Sequence, residues 1–268
     1  MLVAPLTVTV LSLALAGTSV TAASADQAYT VTGSDDFSIG PGDITSEVAY
    51  RGVETLHVSK RGRVTRYSVH VVYTRSDAGA QSEATADYVA DVSASGEMLD
   101  SADKDPDYLT VLNQPFAAQL DPQTLADLHR LDGQLPFDFP SPFTGSSLHG
   151  YLEHVASAPV DKRRSTGVRF EAAGTMHGRL PDRRSLTLEG TIAMRGTAFY
   201  DTKTALLLAL DTTVTIAGNV SNRTSKDPVR IVYSRSLRAG VASPVGRRDR
   251  DGKGSRDPIV EAPRLPLF

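Results

Sequence analysis

The chain contains no cysteine, and this absence removes several kinds of chemistry at once. Disulfides, thiolate metal sites, a cysteine nucleophile and lipid attachment to a cysteine are all excluded. If the protein is exported, its fold has to be held by packing alone. A chain of 268 residues, of which 40% are apolar, is long enough to bury the core that this requires.

Tryptophan is also absent, and neither sign of charge is in clear excess. Lysine and arginine number 28 against 31 aspartates and glutamates, which gives a net charge of −3. This balance provides no general field that would attract nucleic acid or an anionic membrane. The chain carries no P-loop and no dinucleotide-binding fingerprint. We therefore predict no nucleic-acid partner and no cofactor.

Charged side chains are missing altogether from residues 1–25. An apolar run over 8–16 precedes small residues, and the tripeptide ASA at 23–25 fits the small-x-small pattern of a signal-peptide cleavage site. We predict cleavage before Asp26, export to the periplasm or the extracellular space, and no remaining membrane span. A retained anchor is the alternative, because about 20 apolar residues are enough to cross a bilayer.

Alternation of apolar and polar residues predicts β-strands on both sides of the middle of the chain. The clearest runs are 66–74 and 185–195, in which every second residue is apolar and β-branched residues are frequent. Such patterns fill residues 44–115 and 150–240. Residues 26–42 are rich in glycine, serine and aspartate and predict a leader with one edge strand.

Residues 121–149 separate the two β halves and have a different character. Asp121 and Pro122 predict a helix start, because aspartate caps first-turn amides and proline at the first helical position wastes no donor. A glycine at 133 would end this helix of about three turns. Its apolar edge consists of Leu125, Leu128 and Leu131.

A Pro/Phe strap follows the helix. Three of the eight phenylalanines lie within 137–143, and the prolines between them favour extended backbone. On such a backbone Phe137 and Phe139 point to one side and Asp138 to the other. The strap could line the mouth of an apolar site or fill the core under the helix. The candidate ligand-binding residues are Leu125, Leu128, Phe137, Phe139 and Phe143.

The fold prediction is mainly β: an antiparallel curved sheet, either half-barrel or sandwich, with one short central helix and the Pro/Phe strap. It forms a single domain over residues 26–240, followed by a disordered tail over 244–268 that is almost free of apolar residues. A curved sheet with a helix over its mouth is similar in outline to the half-barrels of periplasmic lipoprotein carriers. This is a similarity of architecture, and no motif supports it.

Two clusters of polar residues have side chains of the types that bind metal ions or act in catalysis. An EF-hand loop starting at Asp103 would place Tyr108 and Gln114 where glycine and glutamate are needed, so residues 100–107 predict a solvated acidic loop. His149 and His154 are five residues apart, whereas a zinc helix needs four. We predict no metal site and no catalytic residue.

Three functional hypotheses remain. The first is an exported, non-catalytic protein that binds an apolar or lipid-like ligand under the helix and strap. The second is an envelope or extracellular protein-interaction module, which would show a large exposed apolar patch or an open strand edge. The third and weakest is a hydrolase that uses His149, Glu153 or His154, which requires two or more of these residues to converge in one cleft with a nucleophile or a metal.

Overall fold

The structure is a computed structural model. It describes residues 24–40, 44–93, 98–104, 107, 109, 120, 122–131, 133–140, 147–180, 183–222 and 224–240. The signal-peptide prediction falls on residues outside this set except for Ser24 and Ala25, which begin the first strand. The tail predicted over 244–268 and Phe143 also lie outside the described residues.

The chain forms eleven strands and one described α-helix. In chain order they are β1 (Ser24–Ile39), β2 (Ile44–Arg61), β3 (Val64–Asp77), β4 (Ala80–Ser93), β5 (Met98–Lys104), α1 (Pro122–Arg130), β6 (Gln134–Pro140), β7 (Ser147–Val155), β8 (Ser165–Leu180), β9 (Arg183–Asp201), β10 (Leu207–Ser221) and β11 (Lys226–Ala239). The alternating runs in the sequence lie inside longer strands than they predicted, because the hairpins between them are short.

All eleven strands belong to one unclosed antiparallel sheet, in the order β5-β4-β3-β2-β1-β11-β10-β9-β8-β7-β6. Two meanders, β1–β5 and β6–β11, are joined through the pairing of β1 with β11. This result confirms the antiparallel β prediction and selects a single curved sheet over a sandwich. It also corrects one expectation: residues 24–39 form a central strand rather than an edge strand.

One face of the sheet is apolar and the other is polar, as strict alternation along each strand requires. On β3, Val69, Val71 and Tyr73 are buried, whereas His70 and Val72 between them are exposed. In the registers of the strand pairs, buried residues lie opposite buried residues on the neighbouring strand. The apolar side chains therefore share one face of the sheet, which we call the inner face. The outer face carries most of the charged residues.

Glycines on the inner face allow neighbouring strands to approach closely where the sheet bends. Gly190 of β9 and Gly218 of β10 are direct register partners. A Cβ atom on Gly190 would lie 2.2 Å from the Ala217 carbonyl oxygen, and one on Gly218 would lie 2.1 Å from the Glu189 carbonyl oxygen. No other residue type fits at these two positions, which is typical of strongly coiled strands.

The two edges of the sheet are β5 and β6, and β6 is the strap that the sequence predicted as extended. Pro136 and Pro140 are four residues apart in an unbroken register with β7, so their backbone nitrogens point in the same direction. A proline nitrogen that pointed towards β7 would remove a hydrogen bond of the ladder. Both nitrogens therefore point to the open edge, which has two N–H donors fewer as a result. This edge is therefore a poor template for an added strand.

Candidate ligand-binding face and its cover

The inner face is covered by residues from the connection between β5 and β6, the two opposite edges of the sheet. The described part of this cover consists of Asp107, Leu109, Leu120 and residues 122–131. Leu109, Leu120 and Leu128 are each at most 5% exposed. These described residues therefore pack into the buried core, and because they lie outside the ladder, the hydrogen bonds of the sheet do not depend on them.

At one end of the cover, α1 packs on the inner side of β7. Leu128 is fully buried and Leu125 is partly buried against the same core. Leu131, which the sequence placed on this apolar edge, is 44% exposed, because the helix ends at Arg130 and the chain turns away. Gly133 has φ +146°, a conformation open to glycine, and leads into β6.

The phenylalanines of β6 lie beside this helix and form an aromatic cluster. Phe137 and Phe139 point to the inner face and Asp138 points outward, as predicted. Phe139 is 1% exposed, with its ring 4.8 Å from that of Phe137 and 5.7 Å from that of Phe170. We call this cluster, formed by Leu125, Leu128, Phe137, Phe139 and Phe170, the apolar anchor. Four of the five candidate residues thus belong to or pack against one buried core.

A second group on the inner face is polar and buried. Asp35 and Arg235 form an ion pair in which the guanidinium Nη1 donates to Oδ1 at 2.5 Å, with side-chain exposures of 3% and 0%. The Tyr50 hydroxyl donates to the other Asp35 oxygen at 2.7 Å. Arg235 also lies over the Tyr50 ring, 4.8 Å from its centroid. A buried charge pair is tolerated here because both oxygens of Asp35 and both terminal nitrogens of Arg235 form hydrogen bonds.

Asp107 of the cover binds to this group. Its carboxylate accepts a hydrogen bond from the Tyr73 hydroxyl at 2.5 Å and lies 3.6 Å from Nε of Arg75. Its backbone carbonyl accepts from Nη2 of Arg235 at 3.0 Å. We call the group formed by Asp35, Tyr50, Tyr73, Arg75, Asp107 and Arg235 the polar anchor. The expectation of a solvated acidic loop is wrong for Asp107, whose side chain is 18% exposed.

Burial shifts the protonation equilibria of this group. It raises the pKa of the Asp35 carboxyl, against the opposing effects of Arg235 and the Tyr50 hydroxyl. It also raises the pKa of Tyr50 far above its usual value, and the Asp35 and Asp107 charges act in the same direction. Elsewhere under the cover, burial strongly raises the pKa of Tyr200, whose hydroxyl is hydrogen-bonded to the Leu120 backbone.

At one end of the sheet the apolar face continues into side chains that are only partly buried. Phe37 and Ile39 of β1 are register partners of Ile231 and Val229 of β11. Phe37, Ile39 and Ile231 are partly exposed, and the Phe37 ring packs edge-on against Tyr233 with centroids 6.2 Å apart. We call these three residues the apolar rim. It gives solvent contact to the end of an otherwise buried apolar face.

The outer face carries an open polar groove of about 660 Å³ across β1 and β8–β11. Hydroxyl groups dominate its walls, and its charges are mostly paired: Arg169 with Glu153 at 2.7 Å, and Asp211 with Arg238 at 2.7 Å. Its hydroxyl-bearing lining residues on the outer face are Thr32, Ser34, Thr197, Thr213, Ser234 and Ser236. No sequence pattern pointed to this groove.

The residues required by the hydrolase hypothesis do not converge. His149 lies on the outer face of β7, where Nδ1 is 2.8 Å from Asp138, and Glu153 pairs with Arg169 on the same face. His154 points inward, and its ring meets that of His129 of α1 edge-on at 4.6 Å. Within the described ranges no group of three or more histidine, aspartate or glutamate residues is arranged to hold a metal ion.

Comparison with known proteins gives little further information. No family model and no curated protein matches the chain. Among solved structures, one concerned with lipid–protein interactions in lipovitellin overlaps with 80% of this chain and 25% of the lipovitellin chain. The sequences are 13% identical and the TM-score is 0.36, so this loose overlap carries no argument about function. The chain spans about a quarter of that chain's length.

The described helix is too short and too polar to cross a membrane, and the described part of the chain offers no other helix that could.

Proposed function

We propose that the protein is an exported, non-catalytic binder of an apolar or lipid-like ligand, held between the inner face of the sheet and its cover. The observation that carries this proposal is a continuous apolar face, spanning most of an eleven-stranded sheet, that is covered by one connecting segment. An apolar face of this extent favours apolar ligands through the hydrophobic effect. Export is proposed from the apolar, uncharged residues 1–25.

The arrangement of the cover supports exchange of a ligand. Moving α1 away from β7 would break side-chain contacts and leave every strand pair in place, since β1–β11 pairing joins the two meanders without it. The apolar rim provides a place at which an apolar chain can first make contact. We assign pocket-lining roles to Leu125 and Leu128 of α1 and to Phe137 and Phe139 of β6, because all four belong to or pack against the same core.

Ligand binding is tested by incubating delipidated protein with a panel of fatty acids, fatty alcohols and phospholipids, followed by native mass spectrometry. We expect one apolar ligand to remain bound. Ile231→Asp, at the rim, should lower the bound fraction, whereas Val72→Asp, on the outer face where Val72 is already 52% exposed, should not. Protein that emerges free of ligand from every incubation would rule out the proposal.

Movement of the cover is tested with a disulfide, since the absence of native cysteine removes any background. The rings of His129 and His154 meet with centroids 4.6 Å apart, so the double variant His129→Cys with His154→Cys places the disulfide at the contact between α1 and β7. Oxidation should slow the exchange of a fluorescent fatty acid and reduction should restore it, with each single cysteine variant as control. Equal exchange rates in both states would show that α1 does not gate the site.

An interaction module is the second candidate, and the outer groove is the observation that favours it. In the described part of the chain, the large exposed apolar residues are Val72, Leu99 and Leu131, which lie far apart in the fold and form no patch. A photo-crosslinking residue at Thr213 in the groove can be compared with one at Thr85 on the outer face of β4. A discrete adduct from Thr213 alone would support this role, and adducts from neither position would oppose it.

A further inference from the structure

The polar anchor contains donors that lie in the middle of an apolar surface. Along β11, Arg235 has Tyr233 on one side and Leu237 on the other, and all three are buried on the inner face. Along β1, Asp35 stands between Gly33 and Phe37. Buried charges are costly to desolvate, so a sheet that needed only a core would not place them here. The arrangement suits a ligand with both a charged and an apolar part.

The hydrogen-bond acceptor that faces Tyr73, Arg75 and Arg235 is Asp107, which belongs to the cover. The Tyr73 hydroxyl donates a hydrogen bond to the Asp107 carboxylate, Arg75 lies beside the same carboxylate, and Arg235 donates to the Asp107 carbonyl. Tyr50 is closer to Asp35, at 2.7 Å, than to Asp107, at 3.4 Å, and belongs to the permanent part of the group. Asp107, the acceptor that these contacts share, belongs to the cover and leaves this group if the cover moves.

The charges of the group remain balanced without Asp107. On the sheet itself Arg235 pairs with Asp35, and Arg75 pairs with Asp77 at 3.1 Å. Asp107 is a third carboxylate facing two guanidinium groups. An anion of another molecule can replace it without leaving the sheet with an unpaired buried charge.

Two guanidinium N–H groups have no hydrogen-bond acceptor among the described residues when Asp107 is in place. Nε of Arg75 and Nε of Arg235 are buried and have no hydrogen-bond partner among the residues that the structure describes. The Arg235 side chain is completely buried. An unsatisfied buried donor of a charged group is costly, and a head group with several oxygens would supply acceptors that one aspartate does not.

We infer that Tyr73, Arg75 and Arg235 form a receiving site for the anionic head group of an amphiphile, and that the Asp107 carboxylate occupies this site while the cover is closed. The head group is a carboxylate or a phosphate, and its apolar chain lies along the inner face. This inference rests on the proposed function and adds to it the chemical class of the ligand and the residues that select it.

The test compares three ligands with the same apolar chain: palmitic acid, hexadecyl phosphate and hexadecanol. Their dissociation constants are measured on the full-length protein by competition with a fluorescent probe. We expect wild type to prefer the two anions over the alcohol by roughly tenfold or more, the usual value of a charge-assisted hydrogen bond. The tighter of the two anions identifies the head group as carboxylate or phosphate.

Arg75→Gln should remove most of this preference, and Arg75→Lys should restore part of it. Arg66→Gln is the matched control, because Arg66 lies on the same strand, faces outward and pairs with Asp91 at 2.6 Å. Tyr73→Phe provides a second variant that deletes one hydroxyl and keeps the ring. Asp107→Asn should strengthen the binding of the anions, because it removes the competing charge.

The outcomes separate the two claims. Equal affinity for palmitic acid and hexadecanol in wild type, unchanged in Arg75→Gln and Tyr73→Phe, would overturn the head-group site and leave the apolar binder intact. Failure of all three ligands to bind wild type and Asp107→Asn would overturn both. A preference for anions that Arg75→Gln or Tyr73→Phe abolishes, and that Arg66→Gln keeps, would support the inference.

Discussion

One row of cross-strand partners runs across the inner face and changes character halfway. Its members from β3 to β6 are Arg75, Tyr50, Gly33, Arg235, Thr212, Gly196, Phe170, Leu152 and Leu135. The first half of the row is polar and meets Asp107, whereas the second half is apolar and lies on the side of the sheet where α1 packs on β7. The same cover is therefore held at one end by directional, charged contacts and at the other by packing.

This difference has consequences for how each anchor responds to change. Charged hydrogen bonds are specific in geometry and costly when half of the pair is removed, whereas apolar contacts are lost in proportion to the volume deleted. The polar anchor should therefore fail abruptly and the apolar anchor gradually. The four predictions that follow test this contrast.

The largest effect is expected from Arg235→Met, which leaves the Asp35 carboxylate buried without its cation. We expect the free energy of unfolding to fall by about 3–5 kcal/mol, measured by urea denaturation. Adding Asp35→Asn to the same chain should recover part of this loss. Arg238→Gln breaks the exposed pair with Asp211 and should cost about 1 kcal/mol or less. Equal losses for Arg235→Met and Arg238→Gln would contradict the polar anchor.

The next effect concerns the apolar anchor. Leu128→Ala deletes a fully buried side chain at the contact between α1 and the core, and should lower the free energy of unfolding by about 2–3 kcal/mol. Leu131→Ala, three residues further along and 44% exposed, should change it by about 0.5 kcal/mol or less. Thermal or chemical denaturation of both proteins checks the difference. A similar cost at the two positions would mean that α1 is not seated as described.

Gly33→Ala probes the space that the polar anchor needs. An added Cβ would lie 2.6 Å from the Ser234 carbonyl oxygen and 2.8 Å from Cδ of Arg235, so the Arg235 side chain and the strand would have to shift. We expect a loss of about 1–3 kcal/mol. Gly240→Ala, where nothing lies within 4 Å, is the control and should be close to neutral. A neutral Gly33→Ala protein would contradict the close approach of β1 and Arg235.

The smallest effect concerns alkaline pH. The pKa values of Tyr50 and Tyr200 are raised by burial, whereas both phenols ionise near 10.0 in the unfolded chain. Their contribution to stability is present below pH 10 and is lost as the pH rises above it, because only the unfolded state releases these protons. Tyr200→Phe should make the alkaline decline in stability shallower. Tyr50→Phe should do the same and also lower stability at neutral pH, since Asp35 loses a donor.

Local sequence was sufficient to predict four members of the apolar anchor, and it missed Phe170 of β8. The prolines predicted the extended backbone that turns Phe137 and Phe139 to one side, and the sequence Asp121-Pro122 predicted a helix that begins at Pro122 in the structure, because these signals act within a few residues. Leu131 was misplaced because the end of a helix depends on where the chain must turn. The strand pattern gave the β class for the same local reason.

The polar anchor could not be predicted in this way. Its members lie at positions 35, 50, 73, 75, 107 and 235, and only the meeting of β1 with β11 brings the first and last together. The strand β1 was underestimated because serine and aspartate in residues 26–42 have low β-propensity, which pairing on both sides overrides. One available signal was Arg235, a charge at an inward position of an otherwise alternating strand.

The junction of β1 and β11 has a consequence for how this chain could be rewired. The N–H of Gly240 donates to the Ala28 carbonyl at 3.3 Å, so the two ends of the described sheet are neighbours. A circular permutant that links these ends and opens the chain between β5 and β6 would order the strands so that every sequence neighbour is also a spatial neighbour. Such a chain has a lower contact order and should fold faster. It would also free one attachment of the cover and show directly whether the sheet can stand without it.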